Sequence, residues 1–178
     1  MTTGWLRGDW MQVYSGRRFY PLDPRPDEID AADIAHALSL LCRYGGHVDR
    51  FYSVAEHCVL MSEAVAPEHA LAALLHDATE AYVVDVPRPL KRQLAGYREI
   101  EAAVWRAICL RFGLVGDLPA EVHEADNRIL LTERDALMSR TRHPWEQEGL
   151  VPLPVTITGW SPGHAEGRYL ARLARLLL

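Results

Sequence analysis

Cysteine, long apolar runs and positive charge are all scarce in this chain. Three cysteines in 178 residues, Cys42, Cys58 and Cys109, are an odd number in helical contexts, which argues for reduced thiols in a cytoplasmic compartment. No stretch reaches membrane-spanning length, and Met1-Thr2-Thr3-Gly4-Trp5 opens no charged-then-apolar signal, so no membrane partner is expected. Internal repeats and low-complexity tracts are absent. Lys and Arg number 19 against 24 Asp and Glu, a net charge of −5, and no dense basic stripe is present to bind nucleic acid. No Ser or Cys stands out as a nucleophile. Apolar residues, by contrast, make up 49% of the chain, enough for one domain over residues 1–178 that buries about 70% of its extended surface.

The pattern along the chain predicts an all-α bundle with a small N-terminal β-hairpin. Trp10 to Tyr14 and Arg18 to Tyr20, around Ser15-Gly16, read as the hairpin, within residues 9–21. Pro21, Pro24 and Pro26 form a rigid connector into a helix from about Asp30 to Arg43. Two core helices follow, the second opened by Pro67. Pro87 and Pro89 mark a loop, Tyr97 to Phe112 is a long amphipathic helix ended by Gly113, and another helix runs from Pro119 towards Met138, closing a core of about residues 28–140. His143 to Trp160 is Pro-rich and irregular. Residues 163–178 form a last amphipathic helix whose Tyr169, Leu170, Leu173, Leu176 and Leu177 need a partner surface, either the core or a second subunit of a homo-oligomer.

The chemistry starts at His76-Asp77, which closes the apolar run Ala70-Leu71-Ala72-Ala73-Leu74-Leu75. An imidazole and a carboxylate at the inner end of a buried helix need compensation, and a bound metal is one of the few groups able to supply it. On a straight helix His76, Asp77 and Glu80 fall within roughly a 100° arc. Upstream, Ser53-Val54-Ala55-Glu56 is a capping-box pattern that puts His57 in the first turn of a helix. Downstream, Val122, Asp126, Ile129 and Glu133 share a face, so Asp126 lies on an inward-looking stripe. Asp135 is the rival carboxylate, but nine residues on it is about half a turn out of phase. Cys58 reads as a packed thiol, since oxygen-seeking chemistry favours His and Asp.

These residues resemble the HD superfamily of metal-dependent phosphohydrolases, whose pattern is a lone His, an adjacent His-Asp pair and a distant Asp on separate helices of an all-α core. Here the pattern reads His57, His76-Asp77, Asp126. The branch that contains bacterial 5′-deoxynucleotidases and small phage phosphohydrolases is the nearer match, from about Trp10 to Met138, through Gly16-Arg17-Arg18-Phe19-Tyr20-Pro21-Leu22-Asp23-Pro24, Val54-Ala55-Glu56-His57, His76-Asp77-Ala78-Thr79-Glu80 and Asp85-Val86-Pro87-Arg88-Pro89-Leu90-Lys91. The resemblance implies one divalent ion (Co, Mn, Zn or Mg) on the four ligands and catalytic roles for Glu80 and Asp85. Arg43-Tyr44 resembles the Arg-Trp pair that contacts nucleotide in that branch, with Arg43 gripping phosphate and Tyr44 packing on sugar or base. Arg88 and Lys91 are further expected phosphate contacts, and Arg50 and Arg92 add local positive charge. The expected reaction is hydrolysis of a deoxynucleoside monophosphate by an activated water. The alternatives are release of tripolyphosphate from a deoxynucleoside triphosphate, and a metal-stabilised binding or assembly module without turnover.

Overall fold

A computed structural model describes residues 7–178, and the first five residues of the chain, expected to carry no signal, lie outside it. The fold is mainly α with a small N-terminal hairpin. Strands β1 (Met11–Gln12) and β2 (Arg18–Phe19) pair antiparallel, Met11 opposite Phe19 and Gln12 opposite Arg18. Gly16 supplies the left-handed turn residue at φ 80°. The buried Asp33 carboxylate accepts Ser15 N–H at 2.6 Å and its hydroxyl at 3.0 Å, which fastens the hairpin to helix α1 (Ala31–Leu40).

Helix α1 is capped by Asp30, whose side chain accepts Ala32 N–H, and it stops at Leu40 rather than continuing to Arg43. The reason lies in backbone pairing. Residues 41–43 turn antiparallel to 52–54, with Cys42 bridged to Ser53, Arg43 N–H on Tyr52 O at 2.9 Å and Val54 N–H on Leu41 O at 3.0 Å. Tyr44 (φ 57°) and Gly45 (φ 59°) then adopt left-handed geometry inside a short 3-10 turn, Arg43–Gly46.

Helix α2 (Val54–Ala64) starts as expected, with the Ser53 hydroxyl accepting Glu56 N–H at 3.0 Å. The reciprocal half of the capping box does not form. Glu56 instead sends its buried carboxylate to the chain's far end, accepting N–H groups of Thr158 (3.0 Å), Gly159 (3.0 Å) and Trp160 (2.5 Å). Three backbone donors that would otherwise be unmatched are satisfied by one ion.

A 3-10 turn at Pro67–His69 opens helix α3 (Ala70–Leu75), which ends before the His-Asp pair. Residues 76–79 form tight turns with i to i+3 bonds, including Ala78 N–H on Leu75 O and Glu80 N–H on Asp77 O, before helix α4 (Glu80–Val83). The straight-helix expectation for His76, Asp77 and Glu80 is therefore corrected: a tightened turn, not one unbroken face, joins them. Helices α5 (Arg88–Lys91), α6 (Tyr97–Phe112) and α7 (Ala120–Leu137) follow, with Gly113 ending α6 at φ 74°.

Helix α8 (Pro162–Leu176) packs on α1, α2 and α3, so its apolar stripe is covered by the chain's own core. Tyr169 is fully buried and donates to Leu74 O at 3.0 Å. Leu177 remains 51% exposed, outside the covered stripe. One apolar cluster joins the hairpin, α1, α2, α3 and α8, and a second joins α2, α3, α7 and the segment around Leu153 and Ile157. Helices α2 and α3 thus lie between two apolar layers, each fully buried Leu or Ile side chain contributing about 1.5–3 kcal/mol. Among the described residues no helix is long and apolar enough to cross a membrane.

Gly159 adopts φ 78°, and a Cβ there would come 2.9 Å from Phe51 O. Gly159→Ala should therefore lose about 2 kcal/mol, a fall of about 4–8 °C in Tm by calorimetry. An unchanged Tm would mean that the 158–160 segment is not held as described.

Candidate metal centre

His57, His76, Asp77 and Asp126 arrive from α2, the 76–79 turn and α7, and they converge. His57 Nε2 lies 3.2 Å from His76 Nε2, 3.6 Å from Asp77 Oδ2 and 3.5 Å from Asp126 Oδ1. His76 Nε2 is 3.2 Å from Asp77 Oδ2 and 4.0 Å from Asp126 Oδ1. Atoms about 2.1 Å from a shared ion stand about 3.0 Å apart at adjacent octahedral corners and about 3.4 Å apart in a tetrahedron. The separations of 3.2–3.6 Å match that spacing, and the 4.0 Å between His76 and Asp126 is wider. Asp135, by contrast, is exposed and bonded to Arg134. The helical phase that separated the two aspartates on α7 holds in three dimensions.

Protonation gives an independent test of the fit. His57 Nδ1 lies 2.6 Å from Glu133 Oε1. Burial alone would raise the Glu133 carboxyl, but Arg43 and His57 outweigh it and hold it down at about 2, so it accepts and the imidazole donates. His76 Nδ1 lies 2.8 Å from Ala73 O, which can only accept. With Nδ1 so engaged on each ring, both Nε2 atoms face one point between the carboxylates of Asp77 and Asp126. A cation is what such a point accommodates, and a carboxylate behind a ligating His is the usual support for one.

The same field shifts its neighbours. Burial opposes charge on His76, yet Asp77 prevails and raises its pKa well above the ordinary value. Burial likewise opposes charge on Asp77, and His76, His57 and Arg43 together hold it far below the carboxylate range. Burial, followed by Asp77 and Asp85, pushes Glu80 well up, and its Oε2 has no hydrogen-bond partner among the described residues. Burial also raises Asp85, against the pull of Arg43. Val84, immediately before Asp85, takes a left-handed φ of 66°, unusual for a β-branched residue and a local strain of about 1–3 kcal/mol. Cys58 stands 4.0 Å from His76 Nδ1, and its thiol, pushed by burial to about 11, is a packed group.

A cavity of about 1000 Å³ opens onto the centre, lined by His76, Asp77, Glu80, Asp85 and Asp126 among others. Of the expected substrate contacts, Arg43, Tyr44, Arg88 and Lys91 all line it, but each has its polar end committed. Arg43 is 7% exposed and donates to Asp77 Oδ2 at 3.2 Å and Glu133 Oε2 at 3.3 Å. The Tyr44 hydroxyl donates to Glu133 as well. Burial pairs Arg43 with carboxylates and Tyr44 follows, while both line the cavity in which the sequence expects them to meet a substrate. Arg88 bonds Asp126 Oδ2 at 2.9 Å, and Lys91 pairs with Glu101. Arg50 does not line the cavity and donates to Ala136 O and Ile157 O. Arg92 and Arg98 do line it, and they form no ion pair among the described residues.

Glu133, which the sequence pattern places only on the same face as Asp126, belongs to the site as well. It is fully buried and takes bonds from His57, Tyr44, Tyr52 (2.9 Å) and Arg43. Its position seven residues after Asp126 on one helical face was the available signal.

The chain is 40% identical over 167 residues to the uncharacterized protein YfdR of Escherichia coli strain K12, a match that covers 92% of this chain and 93% of that protein. It belongs to the YfdR family. An uncharacterized protein of Rhodobacter capsulatus is 41% identical to this YfdR-family chain over 130 residues, 67% of this chain and 66% of that one. No family model matches.

Glu133→Gln keeps the shape of the support behind His57 and removes its charge. Metal affinity measured by calorimetry should fall about 10–100-fold. Acid stability changes with a definite sign. A carboxyl lowered from 4.5 to about 2 contributes stability that is complete above pH 4.5 and lost as pH falls through 2. Urea unfolding between those limits should therefore depend on pH less steeply in Glu133→Gln than in the wild type, and parallel curves would contradict the pairing.

Proposed function

We propose that this chain is an HD-superfamily phosphohydrolase that uses one divalent ion to release phosphate from a deoxynucleoside 5′-monophosphate. The observation that carries the reading is the pair of imidazole Nε2 atoms, 3.2 Å apart and flanked by Asp77 and Asp126, at the wall of a cavity that also holds Glu80 and Asp85. The identity of the ion among Co, Mn, Zn and Mg is left to experiment. A divalent ion held by His57, His76, Asp77 and Asp126 supplies Lewis acidity for water and charge neutralisation for a phosphoryl group.

The chain's own groups divide the remaining work. Glu80 Oε2, buried and without a partner, takes up or delivers the proton that hydrolysis must move. Asp85, with its raised pKa, is a second carboxyl able to exchange a proton at the cavity wall. Arg43 fixes Asp77 through Nη1, and Arg88 holds Asp126 by Oδ2, so Oδ1 stays turned to the imidazoles. A binding or assembly module would gain nothing from Glu80, since an unpaired buried carboxyl beside Asp77 is a cost without a benefit.

One observation favours a second reading, cleavage of a deoxynucleoside triphosphate. Arg92 and Arg98 offer two uncommitted guanidinium groups on the cavity wall, more than a single phosphate on the ion needs. If so, the double variant Arg92→Ala, Arg98→Ala should raise KM for triphosphates well above any change for monophosphates.

The deciding experiment is a panel of mono- and triphosphates with Mn²⁺, Co²⁺, Zn²⁺ and Mg²⁺ and direct product detection. Orthophosphate from monophosphates supports the first reading, tripolyphosphate the second, and no product under any condition leaves the module. In the active combination Glu80→Gln should fold, bind metal normally and lose about 10²–10⁴-fold in kcat. Full activity of that metal-loaded variant would remove Glu80 from the chemistry.

A further inference from the structure

The ion and one phosphate account for a small part of a cavity of about 1000 Å³. Beside the charged groups, its lining carries apolar and aromatic side chains: Trp105, Leu118, Leu130, Met138 and Trp145. Leu130 comes one helical turn after Asp126 on α7, so this wall begins beside the ligands. Tyr44, expected from sequence to pack on sugar or base, has its hydroxyl held by Glu133. Its ring centroid is 6.3 Å from that of Trp145 with the planes tilted by 53°, so the two rings do not stack on each other.

Trp145 is itself held in place. The Arg134 guanidinium lies 5.7 Å from its ring centroid, and that guanidinium is fixed by Asp135 at 2.9 Å and Glu148 at 3.2 Å. Glu148 N–H closes a turn on Trp145 O at 3.2 Å. A half-buried indole backed by an anchored cation is a rigid stacking surface. Gln147, two residues on, brings an amide with both donor and acceptor to the same cavity.

We infer that this wall is a platform for an aromatic heterocyclic base, with Trp145 as the residue that distinguishes a nucleotide from a simple sugar phosphate. The inference deepens the phosphohydrolase reading and rests on it for the phosphate end alone. Every base has a π face, so the platform accepts all of them and discriminates against a substrate that has none.

The test compares wild type, Trp145→Ala and Trp145→Phe on deoxynucleoside 5′-monophosphates and on deoxyribose 5-phosphate, each variant checked for native circular dichroism. Calorimetric binding of the free deoxynucleosides runs alongside. Trp145→Ala should raise the nucleotide KM about 5- to 100-fold, leave kcat and the deoxyribose 5-phosphate kinetics unchanged, and abolish deoxynucleoside binding, while Trp145→Phe retains most of both. An unchanged nucleotide KM, or an equal loss on deoxyribose 5-phosphate, would overturn the platform and leave the hydrolase reading standing. A wild type that cleaves nothing yet binds deoxynucleosides through Trp145 would support the platform and overturn the hydrolase reading.

Discussion

Two imidazole Nε2 atoms held 3.2 Å apart between carboxylates are the constraint on which the rest of the structure depends. Neither ring can turn away: His57 is tied by Nδ1 to Glu133 and His76 by Nδ1 to Ala73 O. Two basic nitrogens at that distance call for positive charge between them, a proton or a cation, and Asp77 and Asp126 stand where either is stabilised. Those carboxylates and Glu133 in turn need partners where water is scarce, which accounts for a buried Arg43 between Asp77 and Glu133. Each buried ion stands because the next one pairs with it, the condition under which charge is tolerated inside a fold.

The helices place this network where its geometry is least free to relax. Helix α2 contributes His57 from between two apolar layers, and α3 delivers His76 from the same interior. Helix α7 crosses to supply Asp126 and Glu133 from one face, so a single rigid element carries both a ligand and the carboxylate that orients another ligand. His57 and Asp126 stand on regular helices, which hold a spacing to fractions of an ångström, and His76 and Asp77 lie in the tight turn directly after α3. The loop-borne groups, from Asp85 to Pro87 and from Pro144 to Gln147, line the cavity beyond the ligands, where tolerance is wider.

Much of this was legible in the sequence. Gly113, the 97–112 periodicity and the stripe on residues 122–133 locate α6 and α7, and helical phase separates Asp126 from Asp135. What escaped depended on contacts between residues distant along the chain. Glu56 looks like half of a local capping box because its spacing from Ser53 is right, yet its carboxylate meets backbone donors about 100 residues away. Arg43 and Tyr44 look like surface groups available to a ligand until the 41–54 pairing turns them inward onto Glu133. The break after Leu75 left no Gly or Pro signature, because 3-10 turns at residues 76–79 use ordinary right-handed backbone.

Glu56 and His57 are neighbours on one turn of α2, the first gripping residues 158–160 and the second facing the ligand focus. Thermodynamic reciprocity then binds two distant events into one equilibrium. For a cation held there as proposed, whatever free energy the seated 158–160 segment lends to the posture of α2, and so to cation affinity, would be returned in full to the seating of that segment. Resistance of the chain after residue 157 to proteolysis would then gauge occupancy of a site to which that stretch contributes no ligand.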